Sequence, residues 1–312
     1  MNGTSDTTME TTGAVENSPL IPKTRPFYWS VRRELWENRS IYMAPLAAAG
    51  VVLFGFGITA FGLPQRRMAA LALEPAARHA AIETSYDVAA MMIMFTVFIV
   101  GIFYCLDALH GERRDRSILF WKSLPVSDLT TVLSKLFVPM AILPVITFVI
   151  VIATQFIMLL ISTAVLLPSG LAATTWNLLP WPRLSLILFY GLVTSVLWEA
   201  PIYGWLLLVS SWAKRATFLW AVLPWLAISA IEKIVFNTAY FSQMLVDRLT
   251  GGFEEGFVVV KAPPNSHLPV VDRLTELAPL KFLSSPGLWI GLVIAAVFVI
   301  TAIRLRRSRG PL

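Results

Sequence analysis

The sequence predicts an all-α integral membrane protein: six membrane-crossing helices with both termini in the cytoplasm. Three observations carry that reading. Of the 312 residues, 56% are hydrophobic and only 14% are charged, and mean hydropathy is +0.69; a soluble domain carries about 25% charged residues. Apolar stretches recur near the length of roughly 20 residues that a helix needs to cross a bilayer core. Lys and Arg gather in alternate connectors.

Residues 1–26 are rich in Thr, Ser, Asn and Glu. They lack the basic start and apolar core of a secretory signal and are expected to form a disordered cytoplasmic tail. In residues 27–40, Phe27, Val31, Leu35 and Asn38 share one helical face, with Trp29 and Trp36 at its border. That pattern predicts an amphipathic helix at the cytoplasmic interface. A simple aromatic and basic anchor for the first span is the overlapping alternative.

The expected spans are Ile41–Leu63, Val88–Leu106, Leu136–Leu167, Leu184–Val209, Ala216–Val235 and a short Leu288–Ile303. The third exceeds a bilayer's thickness and should tilt or project. No strand-like alternation appears, and lipid admits only helices or closed barrels. With six spans the termini share a side. That side collects sixteen of the 25 Lys and Arg residues and the other side eight, with Lys233 at the end of span five. Both termini are therefore placed in the cytoplasm. The pI near 9.6 then reads as topology and lipid contact rather than nucleic-acid binding.

The external loops 64–87 and 168–183 are expected to be short. The segment 236–287 is the largest: a helix over 237–249 stopped by Gly251-Gly252, a second helix over 271–277, and the form of a lid or re-entrant hairpin. Residues 307–312 make a basic cytoplasmic tail. The single cysteine, Cys105, lies in an apolar run, excluding a disulfide framework or a cysteine zinc cluster. His79, His110 and His267 show no HExxH spacing, no metal site is expected, and no Ser-His or paired-Asp arrangement crosses the spans. The chain is not expected to be an enzyme.

The connector 107–135 is the most informative stretch. "GERRDRSILFWKSLPVSD", Gly111 to Asp128, packs four basic and three acidic residues around Ile118-Leu119-Phe120-Trp121. Ser127 and Asp128 offer an N-cap for the helix that becomes span three. A short helix parallel to the membrane, closed by Leu124-Pro125, fits the pattern. Four consecutive apolar residues cannot all share a helical face, so some should meet the membrane or bundle and others a protein groove rimmed by charge pairs. An interfacial anchor with positive-inside charges is the plainer reading.

Inside the spans, Glu199 is the outstanding charge, followed by Pro201. A carboxylate at that depth is costly. It fits three roles: lining a path, carrying a proton, or locking two helices. Gln155 in span three reads mainly as interhelical glue. Pro139, Pro144 and Pro224 read as static kinks or hinges. The tryptophans at 176, 181, 198, 205, 212 and 289 read first as aromatic belts.

"YCLDALHGERRDRSILFWKSLPVSDLTTVLSKL", Tyr104 to Leu136, resembles the first cytoplasmic loop of type-2 ABC exporter permeases, where an acidic-basic start precedes a coupling helix that docks on the ATP-binding subunit. Trp198–Arg215 and Ser285–Gly291 are weaker echoes, and the six-span layout, entry helix and large fifth loop are similar as well. The resemblance implies an ABC-2-type (type V) exporter transmembrane domain in a bacterial cytoplasmic (inner) membrane. It implies a partnership with two copies of an ATP-binding subunit and with a second permease copy or paralogue. The substrate would pass between the paired permeases near spans two and five. It carries the coupling role onto Glu112, Arg113, Arg114, Asp115, Arg116, Ile118, Phe120, Trp121, Lys122, Leu124 and Pro125. No G-x-x-x-x-G-K-[ST] occurs, so ATP and Mg would be held by the partner, with no cofactor in this chain and no nucleic acid. The alternatives are an ion-coupled secondary transporter or channel using Glu199, and a non-transporting sensor built on the same fold.

Overall fold

A computed structural model describes residues 24–123, 126–258 and 277–308. Residues 1–23 of the expected tail, Leu124 and Pro125, residues 271–276 of the helix expected over 271–277 and the last residues of the basic tail lie outside these, as does the side chain of Lys122.

Among the described residues the chain is helical throughout, and the only β-type pairing is one bridge between Phe257 and Leu277. In chain order the helices are α1 (Thr24–Glu37), α2 (Ser40–Ala60), α3 (Leu63–Leu71), α4 (Pro75–Ala108), α5 (His110–Arg114), α6 (Ser117–Ser123) and α7 (Asp128–Phe137). A π-helical turn (Val138–Ile142) leads into α8 (Leu143–Leu166). Then come α9 (Ala172–Leu178), α10 (Trp181–Trp212), α11 (Thr217–Phe236), α12 (Tyr240–Gly256), α13 (Pro279–Ser284) and α14 (Pro286–Ser308). Six helical runs are long and apolar enough to cross a membrane: α2, α4 with α5, α7 through α8, α10, α11 and α14. These are the six spans expected from hydropathy, so the chain is built as a multi-pass membrane protein.

Several boundaries differ from the sequence reading. The entry helix begins at Thr24 rather than at residue 27. Residues 64–87 are not a short loop: α3 and the first turns of α4 occupy most of them. The cause is packing, because Ala70, Ile82 and Tyr86 bury against Phe56, Met158 and Leu159, so the helix gains apolar burial where hydropathy alone is low. Residues 172–178 likewise form α9. The pair Gly251-Gly252 does not stop a helix; α12 runs through it. Both glycines lie against Trp198, and a Cβ on Gly252 would sit 3.0 Å from the Trp198 Cβ. Their smallness serves close packing rather than helix termination.

The interior centres on Ile41, Ile93, Cys105, Val138, Val151 and Leu207, all fully buried. Helices α10 and α14 pack side by side at Gly204, where a Cβ would lie 3.2 Å from the Ala295 carbonyl oxygen. Pro139 sits in the π-helical turn and Pro144 in the first turn of α8. Span three thus absorbs its prolines by widening one turn, a recognised way to rehouse lost backbone hydrogen bonds. Helix α11 is the outlier, with Ala221 its only buried residue. Both described chain ends lie at one end of the bundle, where α1 and α14 each pack on α7.

Candidate functional site: a buried charge cluster beneath the connector

At that end, the connector between spans two and three is built from α5, α6 and the start of α7. Ser127 caps α7, its hydroxyl accepting from the Thr130 N–H at 3.1 Å, as the sequence suggests. Between α5 and α6, Arg116 adopts φ 58°. This left-handed residue turns the chain so that α6 leaves at a new angle.

Beneath the connector lies a cluster of six charges drawn from four elements. Glu34 of α1 is 1% exposed, Glu112 of α5 8%, Lys135 of α7 2% and Arg306 of α14 4%. The Lys135 ammonium lies 2.8 Å from Glu34 Oε1 and 3.1 Å from Glu112 Oε1. Arg33 reaches the same two carboxylates at 2.6 and 3.1 Å. Arg306 Nη2 takes the other Glu112 oxygen at 3.1 Å and Nη1 approaches Asp128 at 3.6 Å. Tyr104 of α4 donates to Glu34 Oε2 at 3.0 Å. Three cations thus face three anions. Burial pushes the Glu34 carboxyl up, but Lys135 and Arg33 outweigh it and hold its pKa below the ordinary carboxylate value.

This cluster fastens the entry helix, spans two, three and six, and the connector to one another. A second set of bonds ties the connector to the end of span four. Arg113 Nη1 donates to the Ser211 carbonyl at 2.8 Å and to the Ala213 carbonyl at 3.3 Å. The backbone N–H groups of Leu109 and His110 donate to Ser210 Oγ at 3.0 and 2.9 Å. Within the connector α5 is tied firmly into the bundle, since displacing it would strand buried charges and carbonyls.

The residues singled out in the connector divide into two groups. Glu112, Arg113 and Ile118 turn inward and are buried; Trp121 is half-buried, with the Arg33 guanidinium 3.9 Å above its ring. Arg114, Asp115, Arg116 and Phe120 face outward, Phe120 with Leu119 at 59% exposure each. The first group holds α6 in place and the second is what α6 presents. Lys122, Leu124 and Pro125 fall outside the described side chains.

Arg33, Glu34, Lys135 and Arg306 are cluster residues the sequence reading missed. A signal existed for Glu34: it follows Phe27 and Val31 at helical spacing, a charge on the otherwise apolar face of α1. Nothing in the local pattern marks Lys135 or Arg306: Lys135 meets Glu34, 101 residues away, as well as Glu112, and Arg306 meets Glu112 across 194.

The intramembrane candidates lie elsewhere. Glu199 is half-buried in α10 and accepts a 2.9 Å hydrogen bond from the Tyr203 hydroxyl on the next turn. Pro201 is buried inside the same helix. Gln155 is buried in α8 and donates to the Tyr86 carbonyl of α4 at 3.3 Å, a bond of the interhelical kind expected for it. The structure does not bring Glu199 and Gln155 together with the connector. Trp198, read as belt, is instead 7% exposed; it donates to the Asp247 carbonyl at 2.8 Å, with the Arg248 guanidinium 4.4 Å over its ring. Compared with models of known families, with curated proteins and with solved structures, the chain finds no match.

Proposed function

We propose that the chain is the permease subunit of an ATP-driven ABC exporter of the ABC-2 type. In this reading it forms the substrate path as a dimer in a bacterial cytoplasmic membrane and is driven through α5 and α6 by separate ATP-binding subunits that carry ATP and Mg. One observation supports it above the rest: α6 offers Leu119 and Phe120 outward while α5, at its base, is tied to spans three and six by buried ion pairs and to the end of span four by Arg113. An exposed apolar ridge on a rigid mount is what a force-bearing contact needs, because a push on it moves helices rather than bending a loop. The outward Arg114, Asp115 and Arg116 supply charges for orientation at the rim. The drive requires only that two states of the partner hold the ridge differently.

The test is copurification from native membranes under mild detergent, comparing the wild-type chain with Phe120→Asp and Arg114→Glu. These side chains are exposed, so the variants should fold normally. A P-loop ATPase that accompanies the wild type and leaves both variants supports the reading. A folded chain that brings no ATPase overturns it. The ion-coupled alternative keeps one specific support, the half-buried Glu199 with its Tyr203 partner. It predicts transport that follows the proton gradient and stops in Glu199→Gln.

A further inference from the structure

The turn joining α10 to α11 combines features that neither helix needs for its own packing. It is short, and Ala216 takes φ 50°, a left-handed conformation that alanine seldom adopts. Trp212, Lys214, Arg215 and Trp220 surround a cleft of about 580 Å³ there. The two indoles meet edge to face at 4.9 Å. Lys214 and Arg215 are exposed, and among the described residues neither has an ion-pair or hydrogen-bond partner.

We propose that this cleft binds the headgroup of an anionic phospholipid. The phosphate would lie between Lys214 and Arg215, and the glycerol and first methylenes against Trp212 and Trp220. Charge decides the sign of the ligand: among the described residues two adjacent cations and no carboxylate line the cleft. The surroundings decide that it carries an acyl chain. From Trp220, a stripe of exposed residues, Leu223, Ala227 and Ile231, climbs α11 at helical spacing. That helix is the least covered of the six spans, 6% buried against 22% or more for every other. A chain entering at the tryptophans would therefore run along an open apolar rail. Paired tryptophans at a span's end are the side chains that favour the headgroup level.

The site is also wired to the connector. Ala213, one residue before Lys214, is fully buried, and its carbonyl oxygen sits 3.2 Å from His110 Nδ1 and 3.3 Å from Arg113 Nη1. A headgroup held at Lys214 thus steadies the same turn that anchors α5. The proposal rests on the membrane-spanning reading and not on the exporter reading.

The experiment is lipid titration of the purified full chain in detergent, read by native mass spectrometry and by thermal unfolding. The probes are dioleoyl phosphatidylglycerol, dioleoyl phosphatidylcholine and inorganic phosphate. Wild type should bind phosphatidylglycerol more tightly than phosphatidylcholine. The double variant Lys214→Gln, Arg215→Gln should bind it about tenfold more weakly, since each surface cation contributes on the order of one tenfold step or less. Binding of phosphatidylcholine should not change between the two. Trp220→Ala should weaken phosphatidylglycerol binding as well, and Arg39→Gln, an exposed cation elsewhere, should not. Equal phosphatidylglycerol binding by wild type and double variant would overturn the site. So would stabilisation by inorganic phosphate as strong as by the lipid, which would mark a free-phosphate site. Loss of a copurifying protein from the double variant with lipid binding intact would reassign the turn to a protein contact and equally overturn the proposal.

Discussion

Lys135 Nζ lies 2.8 Å from Glu34 Oε1, both side chains are almost wholly enclosed, and the two residues belong to helices separated by 101 positions. An ion pair this deep is stable only as part of a set, because each charge has lost its water. Glu112, Arg33, Arg306 and Tyr104 complete the set. The connector therefore moves, if it moves, with α1, α7 and α14 rather than against them.

Removing one member of the cluster should cost far more than a surface ion pair. In Lys135→Met, Glu34 and Glu112 lose one of the two cations they share and keep only Arg33 in common. A loss of about 3–5 kcal/mol is expected in denaturation of the detergent-solubilised chain. The double variant Lys135→Met, Glu34→Gln should recover part of that loss, and a double-mutant cycle measures how much. Strictly additive losses would mean the two groups do not interact.

Acid should release the clasp through Glu34. Its folded pKa lies below the ordinary value of 4.5 because Lys135 and Arg33 outweigh the effect of burial. The folded chain therefore binds fewer protons than the unfolded one. The stabilisation is full above the ordinary carboxylate range and is lost as pH falls through the lowered value. Melting temperature of the wild type should drop below about pH 4.5, and more steeply than that of Glu34→Gln, which has no proton to take up there. Parallel curves for the two proteins would contradict this account.

Two glycines should respond oppositely to a side chain. Gly204→Val forces atoms against the Ala295 backbone, 3.2 Å from where a Cβ would stand. Backbone cannot step aside, so a loss of about 1–3 kcal/mol is expected, with α10 and α14 parted. Around Gly50 in α2 nothing lies within 4 Å. Gly50→Ala should be neutral or stabilise by up to about 1 kcal/mol through helix propensity. Thermal unfolding of both variants in one detergent checks the contrast.

Arg248 pins α12 to its neighbours. Its guanidinium donates to the carbonyl oxygens of Trp198 in α10 and Gly287 in α14, while lying over the Trp198 ring. Lysine keeps the charge but not the planar fork, so Arg248→Lys should fail to restore the contact. Faster amide exchange confined to α12 is the expected signature. Exchange unchanged from wild type would show that glycine packing alone holds the helix.

How far the sequence reaches is clear residue by residue. Ser127 is legible as a cap because its partner, Thr130, is three residues away. Gln155 is legible as interhelical glue because an amide inside an apolar run has few other satisfactions. Gly251 and Gly252 mislead, since a glycine pair signals a helix end locally and close packing only when Trp198 is placed beside it. Glu112 and Arg113 read naturally as groups offered to a partner. Their inward turn depends on Lys135, Arg306, Ser211 and Ala213, none of them near in sequence.

The sequence by itself determined that the chain is helical, that six of its stretches are long and apolar enough to cross a membrane, and which stretch of about thirty residues stands apart from that plan. Those properties follow from hydrophobic content, which can be read along the chain window by window. The tertiary structure alone decided which charges are buried, how the connector is divided into a locked base and an offered ridge, and which helix is left bare. Most of these depend on residues that meet across long stretches of the chain, some across a hundred positions or more. Burial and pairing are properties of contacts, and contacts exist only once the helices have been brought together.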